Sequence, residues 1–411
     1  MTETVAIASL GHAGDGAAET PDGRVFVPFT LPGETVEIER QGNRGRAVRI
    51  VESSPDRIAP VCRHFGACGG CALQHMGTAA YLVWKREVVK TSFALHGIDA
   101  PVAAIVPAAK PGGRRRAVFS AARTANGVVL GYHRRHSDEI IAVEECPILA
   151  PSIVASLPML REIATIAVKP RRQARITVLA ADNGLDIAVD GGGALPDRAA
   201  ATLGRFGVDP AIARLTVNGV EIFRNHPPEV VAGAAALLPP AGGFVQAARA
   251  AEDALANAVL AHIGNAAPVA DLFAGIGTFT LRLAARAQVT AVEGDATLVA
   301  ALEAAVRRAT GIKRVTARRR DLFANPMSPV EMNEFGAVVF DPPAAGARAQ
   351  SEMLAKSKVA KIAAVSCNPA TLARDARILV DGGHRLVKVI PVDQFLFSAE
   401  IEAVALLERL R

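Results

Sequence analysis

The segment Ser366-Cys367-Asn368-Pro369 sets a thiol at the end of an apolar run and directly before a turn. A thiolate in such a place can add to an electron-poor ring carbon, which divides one difficult substitution into two easier steps. The segment alone fits a buried structural thiol equally well.

Two neighbouring segments favour the chemical reading. Ala270-Asp271-Leu272-Phe273-Ala274-Gly275-Ile276-Gly277-Thr278-Phe279 reads as a strand, a glycine turn and the start of a helix. Gly275 and Gly277 let the backbone turn tightly and approach a ligand. Glu293 ends the next apolar run, where a carboxylate can accept both hydroxyls of a ribose. The third glycine of a dinucleotide fingerprint is missing, so no pyrophosphate cradle is expected. The loop suits S-adenosylmethionine, which carries no phosphate. Phe340-Asp341-Pro342-Pro343 then offers a polar group to an acceptor base. Ala344 follows the prolines where amino-group methyltransferases usually carry an aromatic, and the two tyrosines, Tyr81 and Tyr132, lie elsewhere. Methylation of an exocyclic amine is therefore disfavoured.

A methyl donor gives the thiol a definite use. Carbon 5 of uracil is a poor nucleophile, but a thiolate added at C6 makes C5 enolate-like and able to attack a methyl sulfonium. A base must then remove the C5 proton so that the thiol can leave.

The other four cysteines form a second constellation. Cys62, Cys68 and Cys71 share one glycine-rich loop, and Cys146 stands in Glu145-Cys146-Pro147-Ile148. An odd total of five, in a chain expected to be cytoplasmic, points to metal or catalysis rather than to disulfides. Three close ligands and one distant one suit a [4Fe-4S] cluster better than the paired spacing of structural zinc. His64 and His75 keep zinc as an alternative. No Cys-x3-Cys-x2-Cys motif is present, so the cluster is read as structural, not as a source of radicals.

These groups need positioning elements, and 411 residues, half of them hydrophobic, supply two or three domains. The fold class expected is α/β. Residues 1–52 read as a small OB-like β-barrel, with strand-like runs at Val5–Leu10, Arg24–Val27, Thr35–Ile38 and Arg46–Val51 separated by Gly, Asp and Pro. Residues 53–240 read as a central α+β domain that carries the cysteine loop, a helix around Tyr81–His96, and hairpins at Val128–Tyr132, Ile140–Val143 and Ile176–Leu179. Residues 241–411 alternate strand and helix: Pro268–Phe273, Leu281–Ala287, Val289–Val292, Ala337–Phe340 and Lys361–Ser366. That pattern predicts a Rossmann-like, largely parallel sheet with ligands at the carboxyl ends of its strands.

Net charge is only +6, yet Pro101 to Ala180 holds twelve Lys/Arg against five Asp/Glu. Such clustering is the footprint of a phosphate-backbone partner. No run of about 18 apolar residues reads as a membrane span, and the amino terminus lacks the basic start of a secretory signal. A cytoplasmic monomer without membrane contact or an obligate protein partner is expected.

Together these residues resemble the bacterial RNA uracil-C5 methyltransferases, in particular the iron–sulfur 23S rRNA (uracil-5-)-methyltransferases. The resemblance covers nearly the whole chain. Phe26-Val27-Pro28 through Leu31-Pro32-Gly33-Glu34 is similar to the family's TRAM domain, and Gly131-Tyr132-His133-Arg134-Arg135 resembles the hairpin before the fourth cluster ligand. The resemblance implies S-adenosylmethionine and a [4Fe-4S] cluster held by Cys62, Cys68, Cys71 and Cys146. It implies Cys367 as the nucleophile, Glu402 as the base for the C5 proton, and Asp341 at the target uracil or the cofactor. Gln246, Phe273, Thr278, Glu293 and Asp321 join the glycine loop in holding the cofactor. A flipped-out uridine of 23S rRNA is the implied substrate. The chain departs from the family pattern at Ala344 (usually Arg), Ala248 (often Asn) and Glu400 (His), and Glu400 competes with Glu402 for the role of base.

Arg114, Arg115, Arg116, Arg134, Arg135, Lys169, Arg171, Arg172 and Arg175 are the candidate phosphate contacts. Aromatics make up 4% of the chain, so affinity is expected to be mainly ionic. Competing readings are a tRNA T-loop uridine methyltransferase, a cytosine-C5 enzyme, disfavoured because no Pro-Cys follows the strand at Asp341, and a noncatalytic RNA-binding protein that retains a methyltransferase shell.

Overall fold

A computed structural model describes residues 2–233 and 235–410. Three sheets of six, seven and eight strands and one two-stranded sheet organise them.

The first sheet spans residues 2–52. Strands Thr35–Gln41 and Arg44–Glu52 form its central hairpin. Their two-residue loop starts at Gly42 with φ 62°, the conformation that a tight hairpin turn asks of its first residue. Alternation sends Val36 and Ile38 inward against Val5, Ile7, Val25 and Val27. The run expected over Val5–Leu10 divides into Thr2–Ala6 and Ser9–Leu10, because Ile7 turns away to exchange backbone bonds with Gly33 and Glu34. Strand Gly16–Ala18 was not foreseen, since its residues carry no β-branched signal. A Cβ at Gly16 would lie 2.0 Å from the Thr30 hydroxyl, so packing requires the small residue.

The second sheet runs Ile140–Ala142, Gly127–His133, Arg116–Thr124, Gln173–Ala181, Gly184–Gly191, Ile212–Val217 and Val220–Arg224 in spatial order. All neighbours are antiparallel except Gly184–Gly191 with Ile212–Val217. Helices Pro151–Ala155 and Leu157–Ala167 pack Ile153, Leu157, Leu160 and Ile163 into its core.

The third sheet runs Val315–Arg319, Val289–Glu293, Val269–Leu272, Ala337–Phe340, Lys361–Ser366, Glu402–Arg409, His384–Asp393 and Val106–Pro107. The first five strands are parallel and Glu402–Arg409 is antiparallel to both neighbours. Both faces are covered, which is why the central strands are apolar at nearly every position. Ala270, Leu272, Ile362 and Ala364 face one layer that includes Leu372, Ala376 and Leu379 of helix Pro369–Asp381. Val269, Val339, Ala363 and Val365 face Leu255 and Val259 of helix Arg249–Ile263 on the other side.

Residues 78–107, which the linear division groups with the middle unit, pack on this third sheet. Val89 and Phe93 of helix Thr78–Ala94 enter its core, and Val106–Pro107 adds its edge strand. Arg115 makes a buried ion pair with Glu252 and so ties the second sheet to helix Arg249–Ile263. No helix among the described residues is long and apolar enough to cross a membrane.

Candidate active site

The carboxyl edge of the third sheet carries Glu293, Asp341, Cys367 and Glu402. Glu293 ends its strand, while Asp341 and Cys367 directly follow theirs. Glu402 begins a strand that runs the other way, so its first residue reaches the same edge, beside the Ser366–Ala403 pairing. Reversal of the final hairpin thus brings together Cys367 and Glu402, which are 35 positions apart in sequence.

They line one cavity of about 430 Å³ with Gln246, Phe273, Glu293, Asp321 and Asp341. Glu293 accepts from the backbone N–H of Gly275 at 2.9 Å and of Asp295 at 2.9 Å, which fixes its carboxylate at the glycine turn. Asp321 accepts from the N–H groups of Phe323 and Ala324. Phe273 adopts φ 57°, and its ring packs 5.3 Å from that of Phe323.

The two glycines of the turn do different work. Gly275 has φ 55° and open space where a side chain would stand, as close approach of a ligand requires. Gly277 has φ 99°, and a Cβ there would lie 2.5 Å from Leu302, so it serves loop-to-helix packing. Thr278 gives its carbonyl to Arg282 at 3.2 Å.

Burial dominates the electrostatics. Asp341 is pushed up to about 7 by desolvation. Glu402 is raised well above the usual carboxylate range by burial and then by Asp341 and Glu400, while a hydrogen bond from Gln394 opposes this. Among the described residues its Oε2 is buried without a partner. Cys367 is pushed up to about 11 by burial, Glu402 and Asp341. Asn368 caps the following helix by accepting from the N–H groups of Ala370 and Thr371. Asn368 and the Thr371 hydroxyl both donate to the carbonyl of Ala344, at 3.2 and 3.1 Å, which holds the Asp341 loop beside the thiol. The departure at Ala344 is therefore carried by its backbone. Glu400 is exposed and lines a different cavity from Glu402.

That other cavity, of about 280 Å³, is ringed by Cys62, Cys68, Cys71 and Cys146 together with His64, Arg114, Tyr132, Ser398 and Glu400. All four thiols are free and half-buried. A Cβ at Gly69 would lie 2.6 Å from the carbonyl of His133, so a glycine is required where the cysteine loop clamps the hairpin strand. The N–H groups of Ala72 and Leu73 donate to the carbonyl of Phe397 at 2.9 and 3.0 Å, which fixes the same loop to the segment before Glu402. Cys71 is pushed up to about 12 by burial, so a cation is needed to ionise it at neutral pH. His75 does not join this ring. It packs against Phe29 and Phe65, and burial lowers it to about 4. Among the described residues no three His, Cys, Asp or Glu groups close on a single point as ligands of one ion would.

The basic candidates divide. Lys169, Arg171, Arg172 and Arg175 are exposed around one corner of the second sheet. Arg115 is not available to phosphate: it is 7% exposed and committed to Glu252. Arg135 is held by Asp15, and Arg134 by Glu139 at 2.6 Å. Arg116 donates to the carbonyl of Gly243 at 3.1 Å, and Arg114 to that of Arg116 at 3.1 Å.

Sequence reasoning missed Phe244, Leu298, Phe323, Phe395 and the role of Gln394. Phe244 and Phe323 are large and exposed at the cavity. The repeated tripeptide Asp271-Leu272-Phe273 and Asp321-Leu322-Phe323 was the available signal for Phe323.

Residues 241–410 match the family model described as tRNA (Uracil-5-)-methyltransferase. The chain is 47% identical over 99% of its length to an RNA methyltransferase of Brucella suis, of which it covers 98%. It is 34% identical over 98% of its length to the 23S rRNA (uracil(1939)-C(5))-methyltransferase RlmD of Halomonas elongata, covering 88% of that protein. Its fold matches the crystal structure of Pyrococcus abyssi tRNA (uracil-54, C5)-methyltransferase in complex with S-adenosyl-L-homocysteine. The TM-score is 0.75 at 22% identity, with 98% of this chain and 99% of the other covered.

Proposed function

This chain belongs to the RNA (uracil-5-)-methyltransferase family, and we propose that it methylates C5 of a uridine in 23S rRNA through a covalent adduct at Cys367. It is an S-adenosylmethionine-dependent enzyme acting on RNA. The observation that carries the mechanism is the shared cavity of Cys367, Glu402, Asp341 and Gln246.

The steps follow from these residues. Cys367 Sγ, as thiolate, forms a bond to uracil C6, and the C5=C6 electron pair moves to C5 and the adjoining carbonyl. Carbon 5 then takes the methyl group as the bond between it and the sulfonium breaks, releasing neutral S-adenosylhomocysteine. Glu402 Oε2 accepts the C5 proton; the electrons restore C5=C6 and the C6–Sγ bond breaks. Burial suits Glu402 for this, because a raised pKa makes it a stronger base. Burial works against the Cys367 thiolate, and a sulfonium cation in the same cavity offsets that. Gln246, Phe273, Glu293 and Asp321 hold the methyl donor, with Gly275 leaving room for it. Gly277 and Thr278 support the turn.

The cysteine ring is assigned to a [4Fe-4S] cluster. A single tetrahedral ion needs four sulfurs about 2.3 Å from one point, whereas a cluster takes one thiolate per iron. Four half-buried thiols around a cavity of about 280 Å³ fit the wider cage. Such a cluster, held by Cys62, Cys68, Cys71 and Cys146, would supply the positive charge that ionises the four thiols and would tie the cysteine loop to the hairpin. We assign residues 1–52 as a TRAM-like RNA-binding unit, 53–240 as the cluster-bearing unit, apart from residues 78–107, which pack on the third sheet, and 241–411 as the catalytic unit. Lys169, Arg171, Arg172 and Arg175 are the proposed phosphate contacts.

Full-length similarity to the Halomonas elongata protein supports rRNA as substrate. The Pyrococcus abyssi protein has the same fold over nearly the same length and is named for tRNA, so architecture alone does not choose between the two RNAs. Labelled S-adenosylmethionine with unmodified 23S rRNA and tRNA transcripts, followed by nucleoside analysis, decides. Label in 5-methyluridine from rRNA is the expected result, lost in Cys367→Ala. Label in tRNA alone overturns the substrate, and label retained in Cys367→Ala overturns the mechanism.

A further inference from the structure

Gln394 lies one residue beyond strand His384–Asp393 and is 4% exposed. Its Nε2 reaches two acceptors, Gln246 Oε1 at 2.8 Å and Glu402 Oε1 at 3.2 Å. Gln246 passes the chain on, donating Nε2 to Asp341 Oδ2 at 3.3 Å. With both carboxylates ionised only this orientation of the two amides works, since a flip would set oxygen against oxygen. Among the described residues the chain leaves two buried oxygens without a partner, Gln394 Oε1 within it and Glu402 Oε2 at its end.

The residues flanking Gln394 are held by a buried pair. Lys85 Nζ donates to Asp393 Oδ1 at 2.6 Å and to the carbonyl of Phe395 at 3.0 Å. The Tyr81 hydroxyl lies 3.1 and 3.2 Å from the same two acceptors and shares its one proton between them. Lys85 is 0% exposed, so this anchor is shielded from water. Gln394 is thereby presented to Glu402 from a fixed backbone.

We propose that Gln394 is a positioning residue for proton removal: by holding Glu402 Oε1 it assigns Oε2 to the C5 proton and links the base to the cofactor wall at Gln246 and Asp341. The inference rests on Glu402 as the base. A neutral amide suits the task. A lysine or arginine would hold the oxygen equally well, but its charge would pull the carboxylate down and weaken it as a base.

The test separates two stages of the reaction in Gln394→Leu, using the RNA methylated by the wild-type protein and labelled S-adenosylmethionine. Denaturing gels count the methylated RNA–protein adduct, and nucleoside analysis counts released 5-methyluridine. Adduct is expected to form at the wild-type rate and accumulate, while release slows about tenfold, the equivalent of one hydrogen bond. Release needs ionised Glu402, so it rises with pH. Its midpoint should move to higher pH in the variant, because the lost donor opposed the raising effects of burial, Asp341 and Glu400; Cys367 also faces Glu402 but is bonded to C6 at this stage and does not titrate. Gln394→Asn, which keeps an amide, should fall between the two proteins, and S-adenosylmethionine binding reports folding of each. Equal slowing of both stages, or no change in either, overturns the positioning role provided that Glu402→Gln still traps adduct. If Glu402→Gln traps none, the assignment of the base fails and this inference falls with it.

Discussion

The guanidinium of Arg115 closes on the carboxylate of Glu252, 137 positions later, inside the seam between the second sheet and the catalytic unit. Arg115 Nε also donates to the carbonyl of Gln246 at 2.9 Å, so a residue lining the Cys367 cavity is held from the neighbouring unit. Arg282 shares Glu252 from the other side at 2.7 Å. Arg115→Ala should therefore destabilise the protein by about 3 kcal/mol, toward the lower end for a broken buried pair because Arg282 remains. Urea unfolding measures this, and the salt dependence of RNA binding should stay as in the wild type.

Arg172→Ala should do the reverse. Arg172 is exposed, so unfolding should change little. If it meets a phosphate, the slope of log affinity against log salt should fall by about 0.7 for single-stranded RNA. An unchanged slope removes this corner of the sheet from the RNA interface.

Asp271 makes stability depend on pH. It is 0% exposed, accepts from the Thr280 hydroxyl at 2.5 Å, and is pushed by burial from 3.8 to about 7. The folded state thus holds its proton more tightly than the unfolded state. On this account the stabilisation is fully present below pH 3.8 and is lost as pH rises through about 7. Asp271→Asn should flatten that part of the curve, as thermal melts across the interval will reveal.

Cys367 should respond to the methyl donor before any RNA is present. Its thiol is pushed up to about 11 in the free protein. A bound sulfonium should lower the pH of half-maximal alkylation by about one unit or more, whereas neutral S-adenosylhomocysteine should not. Mass spectrometry of the Cys367 peptide after iodoacetamide treatment reads the difference.

Gly69→Ala should loosen the cysteine ring without touching a sulfur. The added methyl meets the carbonyl of His133 at 2.6 Å, which is backbone and gives way only if the loop moves. Iron retained on anaerobic purification should fall relative to the wild type, and Cys146→Ser gives the reference for loss of a ligand.

The amino-acid order by itself determined the local grammar of this protein. Apolar runs ending in Glu293, Asp341 and Cys367 marked three parallel strands, because a strand covered on both faces must be apolar along its length. The spacing of Cys62, Cys68 and Cys71 put three thiols on one loop, and the structure closes a cavity over them with Cys146. Tertiary structure alone decided which of those groups meet. Glu402 reaches Cys367 only because the last strand runs antiparallel, and Gln394 reaches Glu402 only because the adjoining strand pairs Val392 with it. Arg115, read as a surface charge beside Arg114 and Arg116, is buried because Glu252 waits on a helix that sequence distance conceals. His75, close to the cysteines in sequence, points into Phe29 and Phe65 instead. Periodicity and residue type are properties of a few neighbours along the chain, while burial, pairing and charge depend on residues brought together from far apart.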